Sequence, residues 1–142
     1  MIREYRKGDE RAIAELEKEC FFDPWSAEAV LESAASGVRF FVCEENTQII
    51  GYVGLQVVLD EGYITNIAVS SAHRRKGVAK ALLNTLDKTA RELSLSFISL
   101  EVRESNLSAI ELYTKTGYLS DGKRPNFYEN PRENAIIMTK RR

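Results

Sequence analysis

The stretch YITNIAVSSAHRRKGVAKALLNTLDKTAREL, residues 63–93, decides which fold the chain can adopt. Its first seven residues are rich in β-branched and aromatic side chains and predict a strand that ends at Val69. After a polar link, a helical repeat of apolar residues predicts a long helix that opens at Gly77 and contains Val78, Leu82, Leu86, Ala90 and Leu93. A strand, a basic turn and a helix therefore follow one another directly.

The basic turn has the properties of an anion site. A helix N-terminus carries unpaired N–H groups and a partial positive charge. Gly77 lets a phosphate group approach the backbone, and the small Ala79 does not obstruct it. Arg74, Arg75 and Lys76 add positive charge. Judged on this segment alone, a basic helix start that only faces solvent remains an alternative.

Two other phosphate-binding motifs are excluded. A triphosphate-binding loop requires Gly-Lys followed by Ser or Thr, whereas Gly77 is followed here by Val78. Gly51 and Gly54 lie inside a predicted strand, so they do not form the turn of a dinucleotide-binding fingerprint.

Strands and helices continue on both sides of the opening stretch. Three further helices are predicted, with N-caps at Asp9, at Ser26 and at Ser105-Asn106. Six further strands are predicted, over residues 2–5, 38–43, 49–59, 97–102 and 135–139 and from Tyr118 onward, with a turn at residues 60–62. This order predicts an α+β (mixed α/β) fold with a central, mixed, mostly antiparallel twisted sheet and helices on both faces.

Composition favours one ordinary globular domain over residues 1–142. The chain is 44% hydrophobic and 29% charged, with a formal net charge of -1. This balance argues against direct nucleic acid binding. No apolar stretch approaches the roughly 18 residues of a membrane span, and no leader peptide is evident, so we expect no membrane partner and a cytoplasmic location. Sequence does not indicate an oligomeric state.

The cysteines and the histidine give no sign of a reactive or metal centre. Cys20 continues the apolar helical series of Ile13 and Leu16, and we expect both Cys20 and Cys43 to be core thiols rather than a disulfide. His73 is the only histidine and is predicted to be a solvated loop residue. No metal site is therefore expected.

Three segments, in this order, resemble the GCN5-related N-acetyltransferase (GNAT) superfamily. Residues 66–69, NIAV, look like the strand that lines the acetyl-coenzyme A (acetyl-CoA) thioester. Residues 74–79, RRKGVA, match the signature R/Q-x-x-G-x-G/A, and residues 106–118, NLSAIELYTKTGY, are similar to N-x-x-A-x-x-x-Y-x-x-x-G-F/Y. Within the superfamily, residues 58–61, 100–106 and 134–138 resemble the RimI family of bacterial ribosomal-protein alanine N-acetyltransferases. That similarity covers nearly the whole chain.

The resemblance implies acetyl-CoA as co-substrate and a set of residues that contact it. These are Ile67, Ala68, Val69, Arg74, Arg75, Lys76, Gly77, Val78, Ala79, Lys80, Asn106 and Tyr113. Backbone N–H groups at residues 67–69 would polarise the thioester carbonyl if a bulge freed them from the sheet. Asn106 is also an ordinary helix cap, and the two roles are compatible.

Amine attack on a thioester needs a neutral amine and a proton for the departing thiolate. Glu101 alternates with Leu100 and Val102, points away from the apolar face and is the candidate base, with a pKa raised by burial. Tyr113 is the candidate acid. Spacing alone favours a solvated surface Glu101, and it is equally compatible with a Tyr113 that only packs in the core; the resemblance reverses the preference for Glu101. We expect direct transfer in a ternary complex, because nothing in the sequence supports a covalent acyl-enzyme.

The acceptor is predicted to be a protein N-terminus. An α-amine with a pKa of about 8 is neutral far more often at pH 7 than a lysine, so one carboxylate suffices as base. Asp60 and Glu61 would attract a cationic peptide end, and Tyr63, Phe127 and Tyr128 would frame a slot; a polar turn and aromatic packing explain the same residues. The resemblance implies the N-terminal alanine of the eighteenth small-subunit ribosomal protein. A small-amine acetyltransferase and a non-catalytic acetyl-CoA-binding regulator remain alternatives.

Overall fold

A computed structural model describes residues 1–142 and contains four α-helices and seven strands. The helices are α1 (Glu10–Cys20), α2 (Ala27–Ala35), α3 (Val78–Glu92) and α4 (Leu107–Lys115). The strands are β1 (Ile2–Glu4), β2 (Arg39–Glu45), β3 (Gln48–Val58), β4 (Glu61–Val69), β5 (Phe97–Arg103), β6 (Leu119–Glu129) and β7 (Arg132–Arg141).

The strands form one sheet in the order β1-β2-β3-β4-β5-β7-β6. β4 and β5 run parallel, whereas the pairs β1–β2, β2–β3, β5–β7 and β6–β7 are antiparallel. The predicted mixed, mostly antiparallel sheet is therefore confirmed. Grouped by which backbone segments lie close together, the chain divides into two compact units. The first consists of residues 1–56 and 65–88, and the second of residues 57–64 and 89–142.

The first unit is built around a core that α1 and α2 share with the sheet. α1 presents apolar residues at helical spacing, and α2 begins at a cap in which the Ser26 hydroxyl accepts from the Ala29 N–H at 3.1 Å. Burial of each large apolar side chain contributes about 1.5–3 kcal/mol. The core cluster consists of Ile13, Leu16, Val30, Phe40, Val42, Tyr52 and Ala68.

A glycine in β3 positions the start of α3. A Cβ atom at Gly51 would lie 2.9 Å from Cγ1 of Val78 and 3.2 Å from the carbonyl oxygen of Ala68. The first distance is shorter than real Cβ atoms show and the second is tighter than most, so α3 begins directly against the bare backbone of β3. The N-terminus of α3 is thus fixed by packing as well as by its own sequence.

The second unit combines β5, β6, β7 and α4. Ile98, Leu100 and Val102 of β5 are buried, as their alternation predicts. In β6 the pairing with β7 shifts register between Arg124 and Tyr128, and Asn126 in this bulge has a φ of 54°. Gly117 follows α4 with a φ of 102°, which confirms the predicted C-terminal glycine.

Two local predictions were wrong, and the N-cap of α1 was right in position but not in its hydrogen bond. Asp9 lies at the N-cap position of α1, but its carboxylate accepts hydrogen bonds from Arg3 and from the Arg6 N–H instead of capping the helix. The turn after β3 is Leu59-Asp60 rather than residues 60–62, so Glu61 already lies in β4. Leu93 lies beyond the end of α3 and is 41% exposed.

Candidate active site

The predicted phosphate-binding turn lies in the first unit, between β4 and α3. A 3-10 turn, Ser71–His73, follows β4, and α3 begins at Val78. Arg75 and Gly77 both have left-handed backbones, with φ of 63° and 79°. Such residues in a turn before a helix point successive N–H groups into a concave surface that favours anions.

The surroundings of Gly77 leave room for a ligand. A Cβ built at Gly77 would meet no atom within 4 Å. Arg74, Arg75, Lys76 and Lys80 are exposed. Open backbone beside four cationic side chains is suited to the diphosphate of a nucleotide-like ligand.

The turn is anchored to α1 by hydrogen bonds that the sequence did not predict. Glu19 accepts from the Ser71 N–H at 3.2 Å and from the Ser71 hydroxyl at 3.0 Å. Arg74 donates to the carbonyl oxygen of Val69 and to the sulfur of Cys20, each at 3.3 Å. The end of α1 therefore holds the link that leads into the predicted phosphate-binding turn and the first residue of that turn.

Two predictions about this region were wrong. Cys20 packs against the core but is only half-buried, because its sulfur faces the Arg74 guanidinium; Cys43 is buried as predicted. His73 is half-buried rather than solvated, and its Nδ1 atom is buried without a hydrogen-bond partner.

The strand predicted to line the thioester is the second half of β4. Ala68 is buried, whereas Ile67 and Val69 are half-buried. The Ser70 N–H donates to the carbonyl oxygen of Ile50 at 2.8 Å, which ties the end of this strand to β3. The bulge that would free N–H groups at residues 67–69 stays a prediction.

Glu101 lies in the second unit, on β5, opposite Ile137 of β7. Its neighbours Leu100 and Val102 are buried and Glu101 is exposed, so its predicted direction is confirmed. The expectation that burial surrounds this carboxylate was wrong. An exposed carboxylate on a regular strand is accessible to an incoming amine and to water.

Tyr113 is buried on α4, at 6% exposure. Its ring contacts that of Tyr118 edge-on, with the ring centroids 5.9 Å apart. Burial, and to a smaller degree the neighbouring Tyr128, raises the pKa of Tyr113 above its ordinary value. The phenol therefore remains protonated throughout the physiological range and has a proton to donate.

Tyr128 connects the two candidate catalytic residues. Burial raises the pKa of Tyr128 first, and the charge of Glu101 raises it further, while the Arg103 guanidinium opposes both effects. Tyr128 also acts on the pKa of Tyr113. Glu101, Tyr128 and Tyr113 all lie in the second unit, and Tyr128 is related to the other two through these electrostatic effects on the pKa values.

Asn106 is the N-cap of α4, as predicted. Its Oδ1 atom accepts from the Ala109 N–H and from the Ser108 hydroxyl, each at 3.3 Å. Asn106 is exposed, so the cap leaves its side chain accessible. Its contact with a co-substrate stays a prediction.

The residues predicted to bind the acceptor peptide, in the turn before β4 and on β4, form hydrogen bonds and ring contacts with their neighbours. Asp60 accepts from the Ser96 hydroxyl at 2.8 Å, and Glu61 accepts from the Tyr63 hydroxyl. The ring of Tyr63 meets that of Phe97 edge-on, with the centroids 5.8 Å apart. These contacts give Asp60 a structural role in its turn, whereas Glu61 and Tyr63 form a half-exposed polar pair.

The sequence did not single out a clamp formed by Arg103 and Glu133. Arg103 donates to Glu133 at 3.2 Å, and Glu133 accepts from the Ser105 N–H at 2.6 Å. The Ser105 bond and the Arg103 charge lower the pKa of Glu133. The clamp connects β5, β7 and the start of α4. Arg103 was visible in the sequence only as part of the motif LEVRESN.

The structure contains neither a metal-binding cluster nor a membrane-spanning helix. No three His, Cys, Asp or Glu side chains are grouped so that they can hold a metal ion. None of the helices combines the length and the apolar character that crossing a membrane requires.

Comparison with known proteins gives consistent matches. The model of the "Acetyltransferase (GNAT) family" matches residues 10–118. The [Ribosomal protein bS18]-alanine N-acetyltransferase of Haemophilus influenzae is 35% identical over 141 residues, which cover 97% of this chain and 96% of that protein.

Solved structures show the same fold. The crystal structure of the ribosomal-protein-S18-alanine N-acetyltransferase from Escherichia coli superposes with a TM-score of 0.92 at 31% identity, over 99% of this chain and 92% of that chain. A putative streptothricin acetyltransferase from Bacillus anthracis in complex with acetyl coenzyme A matches with a TM-score of 0.67 at 28% identity, over 74% of this chain and 62% of that chain.

Proposed function

The chain belongs to the acetyltransferase (GNAT) family, and on this basis we propose that it acetylates the N-terminal alanine of ribosomal protein bS18. The supporting observation is its similarity, over nearly the full length of both chains, to proteins that carry this activity in their names. We propose further that residues 1–142 act as one domain, in the cytoplasm.

Residues 74–80 bind the phosphates of acetyl-CoA in this proposal, and the bound molecule supplies the acetyl thioester. The left-handed Arg75 and Gly77 and the open space beside Gly77 fit a phosphate at the backbone. The cationic side chains of Arg74, Lys76 and Lys80 add to the attraction.

Glu101 accepts the proton that the α-ammonium group of the acceptor must lose. Its exposed position on β5 allows contact with the amine or with an intervening water molecule. An N-terminal amine with a pKa of about 8 needs only modest help near neutral pH, so a carboxylate without strong burial suits this acceptor better than it suits a lysine.

Tyr113 hydrogen-bonds to the leaving thiolate and donates its proton as the carbon–sulfur bond breaks; the phenol regains a proton from the nitrogen that becomes the amide, so the tyrosine ends the reaction neutral. Its raised pKa keeps the phenol protonated at the working pH, and its burial excludes bulk water from the donor. Transfer is direct, in a ternary complex, with Asn106 orienting the co-substrate and Tyr128 beside both catalytic groups. Glu61, Tyr63 and Tyr128 receive the acceptor peptide, and Asp60 contributes charge from the adjoining turn.

The test uses the purified chain, acetyl-CoA and a panel of acceptors, with thiol release and mass spectrometry as readouts. The panel contains a peptide with the N-terminal sequence of bS18 that starts at alanine, the same peptide with its N-terminus blocked, a lysine-containing peptide with a blocked N-terminus, and a polyamine. We expect one acetyl group on the α-amine of the first peptide only. Modification of the polyamine alone would show a small-amine acetyltransferase. Tight acetyl-CoA binding without any product would show a regulator.

A further inference from the structure

The first unit contains a carboxylate in its core that the chemistry above does not use. Glu17 of α1 is 1% exposed, between the helix and the sheet. An ionisable carboxylate is among the most costly groups to bury, and apolar residues of similar volume often give a more stable protein. Stability therefore does not explain this glutamate.

Directed hydrogen bonds from three elements surround Glu17. Its Oε2 atom accepts from the Tyr52 hydroxyl of β3 and from Nδ2 of Asn66, in β4, at 2.7 Å. Its Oε1 atom accepts from the backbone N–H of Trp25, in the link between α1 and α2, at 3.0 Å. None of these partners carries a positive charge, so the carboxylate is held only by donors whose direction matters.

The hydrogen bond between Glu17 and Asn66 is next to the segment of β4 that we assign to acetyl transfer. Asn66 directly precedes Ile67, Ala68 and Val69, the residues assigned to the thioester arm of acetyl-CoA. The Trp25 bond fixes the short link after α1, and the Trp25 side chain packs against the core cluster. One side chain thus sets the position of β4 and of this link at the same time.

We propose that Glu17 is a positioning residue for acetyl transfer. It contacts neither substrate and holds Asn66, so that the strand residues that follow keep the geometry that the co-substrate arm requires. This role rests on the proposed function through the assignment of residues 67–69.

Glu17→Gln is the first test, because glutamine keeps the size of the side chain. Its amide nitrogen cannot accept a hydrogen bond. In place of Oε2 it removes the bonds from Asn66 and Tyr52, and in place of Oε1 it removes the Trp25 bond and leaves Asn66 bound. Asn66→Ala, which removes the Asn66 link in every case, therefore accompanies it. We expect acetyl-CoA affinity, measured by calorimetry, and kcat/KM for the acceptor peptide each to fall by about tenfold, the usual effect of losing a hydrogen bond to a charged group.

Asn66→Ala should reproduce the kinetic defect, and the double variant should lose no more than about twofold beyond either single variant, since both changes remove one link. Ile13→Val is the matched control: it lies one turn earlier on α1, is 0% exposed and has no contact with Asn66 among its hydrogen bonds. This control should lower the thermal midpoint and leave acetyl-CoA affinity and kcat/KM unchanged.

Two results would overturn the proposal: Glu17→Gln and Asn66→Ala variants that both melt earlier but keep affinity and kcat/KM within about twofold of the wild type, or full additivity of the two single variants. Calorimetry needs no acceptor. If the wild type acetylates none of the peptides, the proposed function fails, while the affinity comparison still decides the role of Glu17.

Discussion

The guanidinium carbon of Arg103 lies 4.3 Å from the centroid of the Tyr128 ring. The same group donates to the carbonyl oxygens of Pro131 at 2.8 Å and Asn130 at 3.0 Å. One side chain of β5 therefore holds a tyrosine of β6 and the turn between β6 and β7. Tyr128 has an electrostatic effect on, or from, both candidate catalytic residues, so we expect this arrangement to affect the proposed chemistry.

Replacing Arg103 with lysine should impair acceptor binding. A lysine ammonium cannot bond two carbonyl oxygens and cover an aromatic ring at once. We expect KM for the acceptor peptide to rise about tenfold with a smaller change in kcat, and the free energy of unfolding to fall by about 1–2 kcal/mol. Steady-state kinetics and urea denaturation measure both effects. Arg39→Lys is the control, since Arg39 lies 6.0 Å from the Phe41 ring in the other unit; an equal rise in KM there would contradict the prediction.

Glu101→Gln and Tyr113→Phe should lower turnover without weakening acetyl-CoA binding. Each change removes one proton-transfer group, and such groups contribute about 100-fold or more to rate. Kinetics should show the loss in kcat, and calorimetry an affinity within about twofold of the wild type. Tyr118→Phe provides the comparison, because it removes a neighbouring buried hydroxyl from a ring that we assign no chemistry. Unchanged turnover in both site variants would remove the assigned roles.

Gly77→Ala should separate co-substrate binding from stability. The left-handed φ of 79° costs an alanine about 1–2 kcal/mol, while the open surroundings add no clash. In the proposed complex the new methyl group occupies the space of a phosphate, so acetyl-CoA affinity should fall by at least about tenfold. Gly37→Ala is matched, with a φ of 103° and equally open surroundings. Equal affinity losses in both variants would show that backbone strain alone is responsible.

The raised pKa of Glu17 should be visible in how the free energy of unfolding depends on pH. Burial raises the pKa of Glu17, and the hydrogen bonds from Tyr52, Trp25 and Asn66 only partly oppose that rise. A group whose pKa is raised by folding contributes stability fully below its unfolded pKa, about 4.3, and loses it as pH rises through the folded value. The free energy of unfolding of the wild type, minus that of Glu17→Gln, should therefore fall as pH rises from about 4 upward.

Urea denaturation across pH 4 to 8 measures this difference. Glu133→Gln is the comparison, and its pH dependence should have the opposite sign. The hydrogen bond from Ser105 lowers the pKa of Glu133 in the folded wild type. The stability that Glu133 contributes should be present above pH of about 4.3 and be lost as pH falls toward the folded value. If the difference in free energy of unfolding between the wild type and Glu17→Gln does not change with pH, burial does not raise the pKa of Glu17 and the prediction is wrong.

Local patterns predicted most of the fold. The repeat of Val78, Leu82 and Leu86 predicted α3, and the alternation of Leu100, Glu101 and Val102 predicted both β5 and the outward direction of the glutamate. These predictions succeed because the spacing of apolar residues and the direction of side chains are properties of a single helix or strand.

Features that depend on distant partners were missed. Glu17 lies four residues after Ile13, on the apolar stripe of α1, and a charge at that position was a signal that sequence analysis overlooked. The half-exposed Cys20 depends on Arg74, 54 residues later, and the burial of His73 depends on how its turn packs. Such pairings follow from the tertiary structure, which sequence spacing does not specify.

The contact between Arg74 and Cys20 has a practical consequence. The chain has two cysteines, and Cys43 is buried at 7% exposure, so a thiol-reactive fluorophore should attach to Cys20 first. A dye at that sulfur would lie beside Arg74, the first residue of the predicted phosphate-binding turn. If residues 74–80 bind acetyl-CoA as proposed, a dye at Cys20 should report that binding without any engineered residue.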